Sequence, residues 1–387
     1  MKQISILIGA GFSANYGYPI GNTLNEKIIN LKDSNFCITP DGSLCLLQEG
    51  REDPYNYSSY YLNKIFFLEL VSFYKKVNVF HYEDFYDHCK LYMNSENVAY
   101  NGFYNDFKAK NPGCTDSYNM LVQSIKILNQ LVSTYLTDKD GNNYYHEAAF
   151  QSKPSFEGYT GFLNWIEEIL RDSLIHVHTL NHDLFFERLN LTEWLGGDIT
   201  DGFTELGSPY FGGIDKNKVR LSFYADKYNS NLRLYKLHGS IDQYPFHVKS
   251  SIDNYVKIRW GVGNTELYKE IFNAKSEPEY INDWINYHSD FLTGTTSKII
   301  RYKEPFYQHL FEYFEKNLMA SDELVIIGYS AKDSEVNEMI EKNFDYKQKP
   351  IKVVNPYPDK IIEEFCTKLN AKLLKINLDT MRIEDMK

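Results

Sequence analysis

The chain's first strand-like run ends against glycine. Residues 3–8 (QISILI) are apolar enough for a buried strand, residues 22–31 (NTLNEKIINL) place apolar side chains at helical spacing, and GAGFSANYGYP at 9–19 joins them. Gly9, Gly11 and Ala14 satisfy the G-x-G-x-x-G/A spacing between a strand and a helix. Glycine lets a backbone approach a pyrophosphate without a Cβ clash, and a helix N-terminus presents free N–H donors and partial positive charge. The plain alternative is a tight strand-to-helix turn that holds nothing.

An ordinary dinucleotide-dependent dehydrogenase adds a second strand ending in Asp or Glu about 20 residues further on. Here the chain runs into NLKDSNFCITPDGS with no strand pattern before Asp33, which argues against that class. Strand patterns return at 174–180 (LIHVHTL), 233–238 (RLYKLH), 323–329 (ELVIIGY) and 351–355 (IKVVN), with a weaker one at AKLLKI. Helical stretches, NEMIEKNF and DKIIEEFCTKL, alternate with the last of them. The expected fold class is therefore α/β, a Rossmann-like doubly wound parallel sheet. From about 35 to 170 the pattern is mostly helical, with breaks at KNPGCTD and TDKDGNN. The domain organisation expected is an α/β domain of 1–35 plus 170–387 with a helical module, 36–169, inserted.

A formal charge of −11, from 41 basic and 52 acidic residues, opposes direct nucleic-acid binding. Five cysteines without a CxxC pair suggest neither a disulfide framework nor a zinc ribbon and fit a reducing, cytoplasmic setting. ISILIGAGFSA is short, weakly basic and broken by glycine, so it is not expected to act as a signal-peptide core. No other stretch has the roughly 18–20 apolar residues that span a bilayer, so no membrane role is expected.

A sheet of this kind binds ligands beyond the carboxyl ends of its strands. Four more polar clusters fall there: Asn181-His182-Asp183, His238-Gly239-Ser240-Ile241-Asp242, Gly328-Tyr329-Ser330-Ala331-Lys332-Asp333, and Asn355-Pro356. Singly, each is explained by helix caps, turns or a satisfied histidine. Together they describe a binding cleft. His176, His178 and His182 offer a rival metal-ligand reading, but His182 lies past the strand end and no acidic ligand is fixed by spacing; packing explains them more simply, and no metal site is expected.

These segments resemble the sirtuins. GAGFSANYGYP is similar to the sirtuin G-A-G-x-S-x-x-x-G-x-P signature, TLNHD to T-x-N-x-D, KLHGS to H-G-S, and IIGYS with VVNP to the Gly-x-Ser and late Asn ribose-site segments. The chain departs from the deacylases where they carry Asp-Phe-Arg after the proline, since Pro19 is followed by Ile20-Gly21-Asn22, and in lacking the zinc ribbon. With TLNHDLFFE, DGF at 201–203, DFLTGTTSK at 290–298 and GYSAKD, it looks instead like the bacterial sirtuin-like NAD hydrolases of anti-phage defence.

That resemblance implies an NAD glycohydrolase with NAD as substrate and no required metal, an effector of abortive infection. It also implies a homo-oligomer, with a co-encoded helicase-type ATPase or another defence protein as partner. Asn181 would orient a ribose hydroxyl or water, His238 would serve as base, and Asp183 would either support a cationic sugar or cap the helix LFFERL. Gly9, Ala10, Gly11, Phe12, Ser13 and Pro19, with Gly239, Gly328, Tyr329 and Ser330, would surround the phosphates and adenosine side. Asn355 would lie near the adenine ribose. ADP-ribosyl transfer, deacylation and a non-catalytic nucleotide-binding assembly module remain alternatives.

Overall fold

The computed structural model describes residues 1–386 except 95–96, 137–155, 191–198, 260 and 294–303. Seven parallel strands form the central sheet: β1 (Lys2–Ile8), β2 (Ser173–Thr179), β3 (Ile199–Thr200), β4 (Leu232–Lys236), β5 (Glu323–Ile327), β6 (Ile351–Val354) and β7 (Lys372–Leu374). Their order across the sheet is β7-β6-β5-β1-β2-β4-β3. From β1 the chain moves to one side through β2, then crosses back to β5 on the other side. The order therefore reverses between β1 and β5, the place where open α/β sheets bind ligands.

The apolar runs predicted to be buried strands are buried on both faces, as a covered parallel sheet requires. Alternation sorts them: Ile4, Ile6 and Ile8 share one core with Ile175, Val177, Val325 and Ile327, while Leu7, Leu324 and Ile326 face another. Among the described residues the α-helices are α1 (Ala10–Ser13), α2 (Gly21–Ile29), α3 (Ser59–Lys75), α4 (Tyr82–Asn94), α5 (Val98–Lys110), α6 (Ser117–Leu136), α7 (Thr160–Leu170), α8 (Phe185–Leu189), α9 (Pro305–Ala320), α10 (Ser334–Asn343) and α11 (Lys360–Lys368). α7 and α8 cover the first face; α9, α10 and α11 cover the second.

Helices α3 to α6 build a separate apolar cluster. On α3, Phe66, Phe67, Leu70 and Tyr74 recur at three- and four-residue spacing and meet Phe85, Phe107, Leu121 and Leu128. Leu24 and Ile28 of α2 join this cluster, as do Leu184, Ile241 and Phe291 from the loops beyond the sheet. The stretch GFLNWIEEILRDSL, residues 161–174, falls mostly within the 36–169 expected for the module but packs elsewhere. Its helix α7 places Phe162, Leu163, Trp165 and Ile166 in the core of the sheet. The break TDKDGNN lies outside the described residues.

Residues 202–281 also contain what periodicity did not show, two antiparallel four-stranded sheets. One joins Gln243–Val248, Ser251–Lys257, Ser222–Lys227 and Gly202–Thr204; the other joins Pro278–Ile281, Leu267–Phe272, Tyr210–Ile214 and Asn217–Arg220. Their strands are short and, Tyr210–Ile214 apart, mostly half-buried or exposed, Pro278–Ile281 having no buried residue, so they lack the apolar runs that announce the central sheet.

Candidate active site

The glycine turn sits at the reversal between β1 and β5, and its glycines serve a second backbone. Gly9 N–H donates to the Ile327 carbonyl at 3.0 Å and Gly11 N–H to the Gly328 carbonyl at 2.9 Å. A Cβ on Gly9 would lie 2.6 Å from Tyr329 Cα. One on Gly328, whose φ is +62°, would lie 2.1 Å from the Phe12 nitrogen. Two turns from opposite ends of the chain thus interlock through absent side chains. Ala10, Gly11 and Ala14 form the exposed rim. The expectation that glycine admits a pyrophosphate is sharpened: the N–H groups of Gly9 and Gly11 are already committed.

Asn181 joins β2 to this turn. Its Nδ2 donates to the Gly9 carbonyl at 3.1 Å and to Ser13 Oγ at 2.9 Å, and its own N–H donates to Thr179 Oγ1 at 3.0 Å. Both carboxamide hydrogens are used, so any further bond from this side chain is one its Oδ1 accepts. Ser13, 2% exposed, accepts from Asn181 and keeps its own O–H to give.

Next in sequence, His182 stands between two partners, its ring 4.5 Å from Phe291 and 6.3 Å from His238. Its carbonyl accepts from Ile241 N–H at 3.1 Å and Ser240 Oγ at 3.3 Å, which fastens the TLNHD turn to the HGSID turn. Asp183 Oδ1 accepts from Phe185 N–H at 3.1 Å, a local turn that leads into α8, whose N-cap position is Leu184. Burial and then the Asp183 charge hold the Tyr18 phenol far above its usual range.

His238, just beyond β4, is 6% exposed. Its Nε2 lies 3.7 Å from Asp333 Oδ2, an ion-pair distance, while Asp333 Oδ1 caps α10 by accepting from Val336 N–H at 3.3 Å. Asp333 therefore caps α10 and also faces the histidine. Gly239 needs its φ of +79°, for a Cβ there would lie 2.9 Å from the Asp290 carbonyl; it pairs with Phe291, and Leu292 N–H donates to the His238 carbonyl at 2.8 Å. Of DFLTGTTSK, only residues 290–293 lie within the described residues.

Several residues expected near a ligand turn their side chains elsewhere. The Phe12 ring packs 4.9 Å from both Phe162 and Phe185, so it anchors the turn to the core. Tyr329 is 4% exposed, and its hydroxyl reaches Asn337 Oδ1 at 2.8 Å beneath α10. Pro19 is half-buried at the entry to α2, and Ser330 is exposed beside Gly328. Asn355 Oδ1 accepts from Tyr357 N–H at 2.9 Å, while Gly328 N–H donates to the Val354 carbonyl at 3.3 Å, which puts the β5 and β6 ends side by side.

Beneath these loops lies a charged cluster that sequence spacing did not reveal. Lys236 Nζ donates to the Asp183 carbonyl and lies 3.5 Å from Glu187. Lys257 reaches Asp201 at 2.5 Å, with Glu187 and Asp242 each at 3.3 Å. Burial lowers the affinity of Lys257 for its proton, but Asp201, Asp242 and Glu187 together outweigh it and hold the lysine well above its usual range. Burial pushes the Glu187 carboxyl up against the pull of Lys236 and Lys257. The only sequence signal was a lysine ending a buried strand, and the cluster's chemical effect is to lock TLNHD, DGF and HGSID together.

The rival histidines do not converge with His182 on one site. His176 and His178 are 2% and 0% exposed; His178 lies between the Tyr235 and Phe314 rings, 4.8 Å from each. Burial, then Arg233, brings His176 down to about 4; burial, then His176, holds His178 well below the usual range. Among the described residues no group of three or more His, Cys, Asp or Glu is placed to hold a metal ion, and no helix among them is long and apolar enough to cross a membrane.

No curated protein matches the sequence significantly. Structures similar to this one include a Sir2 homologue in complex with NAD, with a TM-score of 0.37, 11% identity, and coverage of 98% of this chain and 85% of that one. Another comes from a study of the mechanism and regulation of Sir2 enzymes, with a TM-score of 0.36, 11% identity, and coverage of 99% and 91%. Scores this low carry no argument of their own. The sequence itself matches the SIR2-like domain over residues 175–374, just over half of the 387-residue chain and a span that holds Asn181, His238, Gly328 and Asn355. On that match the chain belongs to the SIR2-like family.

Proposed function

We propose that this protein is an NAD glycohydrolase, cleaving the nicotinamide–ribose bond to give nicotinamide and ADP-ribose. The observation that carries the reading is a His238–Asp333 pair 3.7 Å apart beyond the ends of β4 and β5, with Asn181, tied to the glycine turn, beyond the end of the intervening strand β2. When the C–N bond breaks, its electron pair leaves with nicotinamide and the ribose carbon becomes oxocarbenium-like. Water then adds to that carbon and must lose a proton. His238 accepts it, and the Asp333 carboxylate favours the imidazolium so formed. Asn181 Oδ1 accepts from the water or a ribose hydroxyl, which orients the nucleophile without adding charge.

Kinship with the SIR2-like family supports NAD as substrate, and no step of this scheme requires a metal. The sirtuin-like resemblance of the motifs supports the wider proposal: a cytoplasmic NAD-depleting effector of anti-phage defence, a homo-oligomer working with a helicase-type ATPase or other defence protein. The helical module would keep the cleft silent until triggered.

The test is incubation of the full chain with NAD, alone and with co-encoded partners, followed by separation of nicotinamide and ADP-ribose in equal amounts. Nicotinamide accompanied by ADP-ribose attached to a macromolecule would select transfer instead. Tight NAD binding without nicotinamide under every condition would select the non-catalytic module.

A further inference from the structure

One segment, residues 286–293, links the helical module to the loop that carries His238. On the module side, Ser133 Oγ lies 2.6 Å from Ser289 Oγ, and Thr293 Oγ1 donates to Asn129 Oδ1 at 3.4 Å. On the other side, Leu292 donates to His238, Phe291 pairs with Gly239 and covers His182, and Asp290 N–H donates to the Gln243 carbonyl at 2.9 Å. Module, segment and histidine loop are one continuous run of contacts.

At the module end of that run is a cavity of about 20 Å³, lined by Tyr60 and Asn63 of α3, Gln123 and Lys126 of α6, Gly42 and Asn286. Its polar groups are unevenly used. Gln130, which also lines it, donates to the Gly42 carbonyl at 3.1 Å and accepts from Leu44 N–H at 2.9 Å. Asn286 Nδ2 is buried without an acceptor. Lys126 is half-buried and pairs with no carboxylate among the described residues, although the chain carries 52 acidic residues against 41 basic ones. Burial keeps its ammonium below the usual lysine range. Gly42, with φ +83°, leaves space that a side chain would take, since a Cβ there would lie 2.5 Å from Asn286 Nδ2. A half-buried cation beside an unmet donor is costly unless an acceptor completes it.

We propose that this cavity binds a small oxyanion, a phosphate group held by Lys126 and Asn286, and that its occupancy is relayed through residues 286–293 to His238 and His182. The volume of about 20 Å³ is little more than the about 10–15 Å³ that one water needs on this measure, so the cavity takes one oxygen of such a group and the rest of it stays at the mouth, toward solvent. The relay takes its activity readout from the NAD-hydrolase proposal; binding does not depend on it.

The full chain would be titrated calorimetrically, at fixed ionic strength, with inorganic phosphate and separately with glycerol phosphate. Wild type would be compared with Lys126→Gln, Lys126→Arg and Asn286→Asp. Saturable binding that weakens about tenfold or more in Lys126→Gln, is retained in Lys126→Arg and is lost in Asn286→Asp is expected. Stronger binding of one titrant identifies whether the free or the esterified group is the natural form. Without phosphate, Lys126→Gln should melt no lower than wild type, because it removes a desolvated charge, and that also shows it is folded. Equal affinity of wild type and Lys126→Gln overturns the site. Phosphate should change NAD turnover several-fold in wild type and not in Lys126→Gln; unchanged wild-type turnover overturns the relay. If phosphate binds through Lys126 but no nicotinamide ever appears, the hydrolase reading fails and the site stands. The relay is then read from amide exchange at residues 238–240, where unchanged protection on adding phosphate rejects it.

Discussion

His176 and His178 lie within β2, whereas His182 and His238 lie just beyond the ends of β2 and β4, and this small difference in chain position separates two chemistries. Inside the strand an imidazole is a flat, uncharged packing unit: His178 is enclosed by Tyr235 and Phe314, and Asn317 Nδ2 lies 3.4 Å from its Nε2. Past the strand end, His238 meets a carboxylate, and its ring lies 6.3 Å from that of His182. A covered parallel sheet is closely packed along its strands and opens to loops only at their ends. Position on the strand, rather than residue type, decides whether a histidine fills space or faces a charged partner.

The sharpest attempt to break this contrast puts one substitution in both places. His238→Phe should cut nicotinamide release about 10²–10⁴-fold, the usual contribution of a positioned base, with little change in the unfolding midpoint. His178→Phe should leave turnover per folded molecule unchanged and cost under about 1.5 kcal/mol, because one flat ring replaces another. A His178→Phe protein as inactive as His238→Phe would erase the distinction. Truncation reverses the ranking for stability: His178→Ala should lose roughly 3 kcal/mol by urea denaturation through the cavity it leaves, well beyond any loss in His238→Ala.

Asp333→Asn probes the strand-end pair more finely. The amide oxygen can still cap α10, so the fold should hold, but the charge facing His238 is gone. We expect about tenfold lower kcat with an unchanged KM, because the charge beside the protonated ring is lost in the step that forms it. An unchanged kcat would reduce Asp333 to a helix cap.

Much of this arrangement was readable in the sequence because it depends on local pattern. Runs such as ISILI and LVII are long enough to signal buried strands, and the polar clusters that follow them mark strand ends wherever the sheet closes. What escaped were relations between distant segments. Nothing near Gly328 signals that its missing Cβ makes room for the Phe12 nitrogen, nor does spacing show that Lys236 will reach the Asp183 carbonyl. Phe12 and Tyr329 sit within ligand-like motifs yet point into the core, since a motif fixes the backbone's course and packing fixes the side chain. The hairpin sheets of 202–281 were missed because half-exposed strands carry too few apolar residues to stand out.

The mildest test uses pH alone and acts on the interior histidines. An unfolded chain binds a proton at His176 as pH falls below about 6.5, whereas the folded chain resists until about 4. Between those values the unfolded state holds more protons, so stability declines as pH falls, by about 1.4 kcal/mol per unit for this group, and is unaffected by it above 6.5. His178, lowered in the same direction, adds to the slope. Urea denaturation of wild type and His176→Gln at pH 7.5, 6 and 5 isolates the first contribution, since every other titrating group is common to both. The variant should lose less stability than wild type on acidification. Parallel losses would mean that His176 already carries its proton when folded, and would move it from the packing class toward the class of His238.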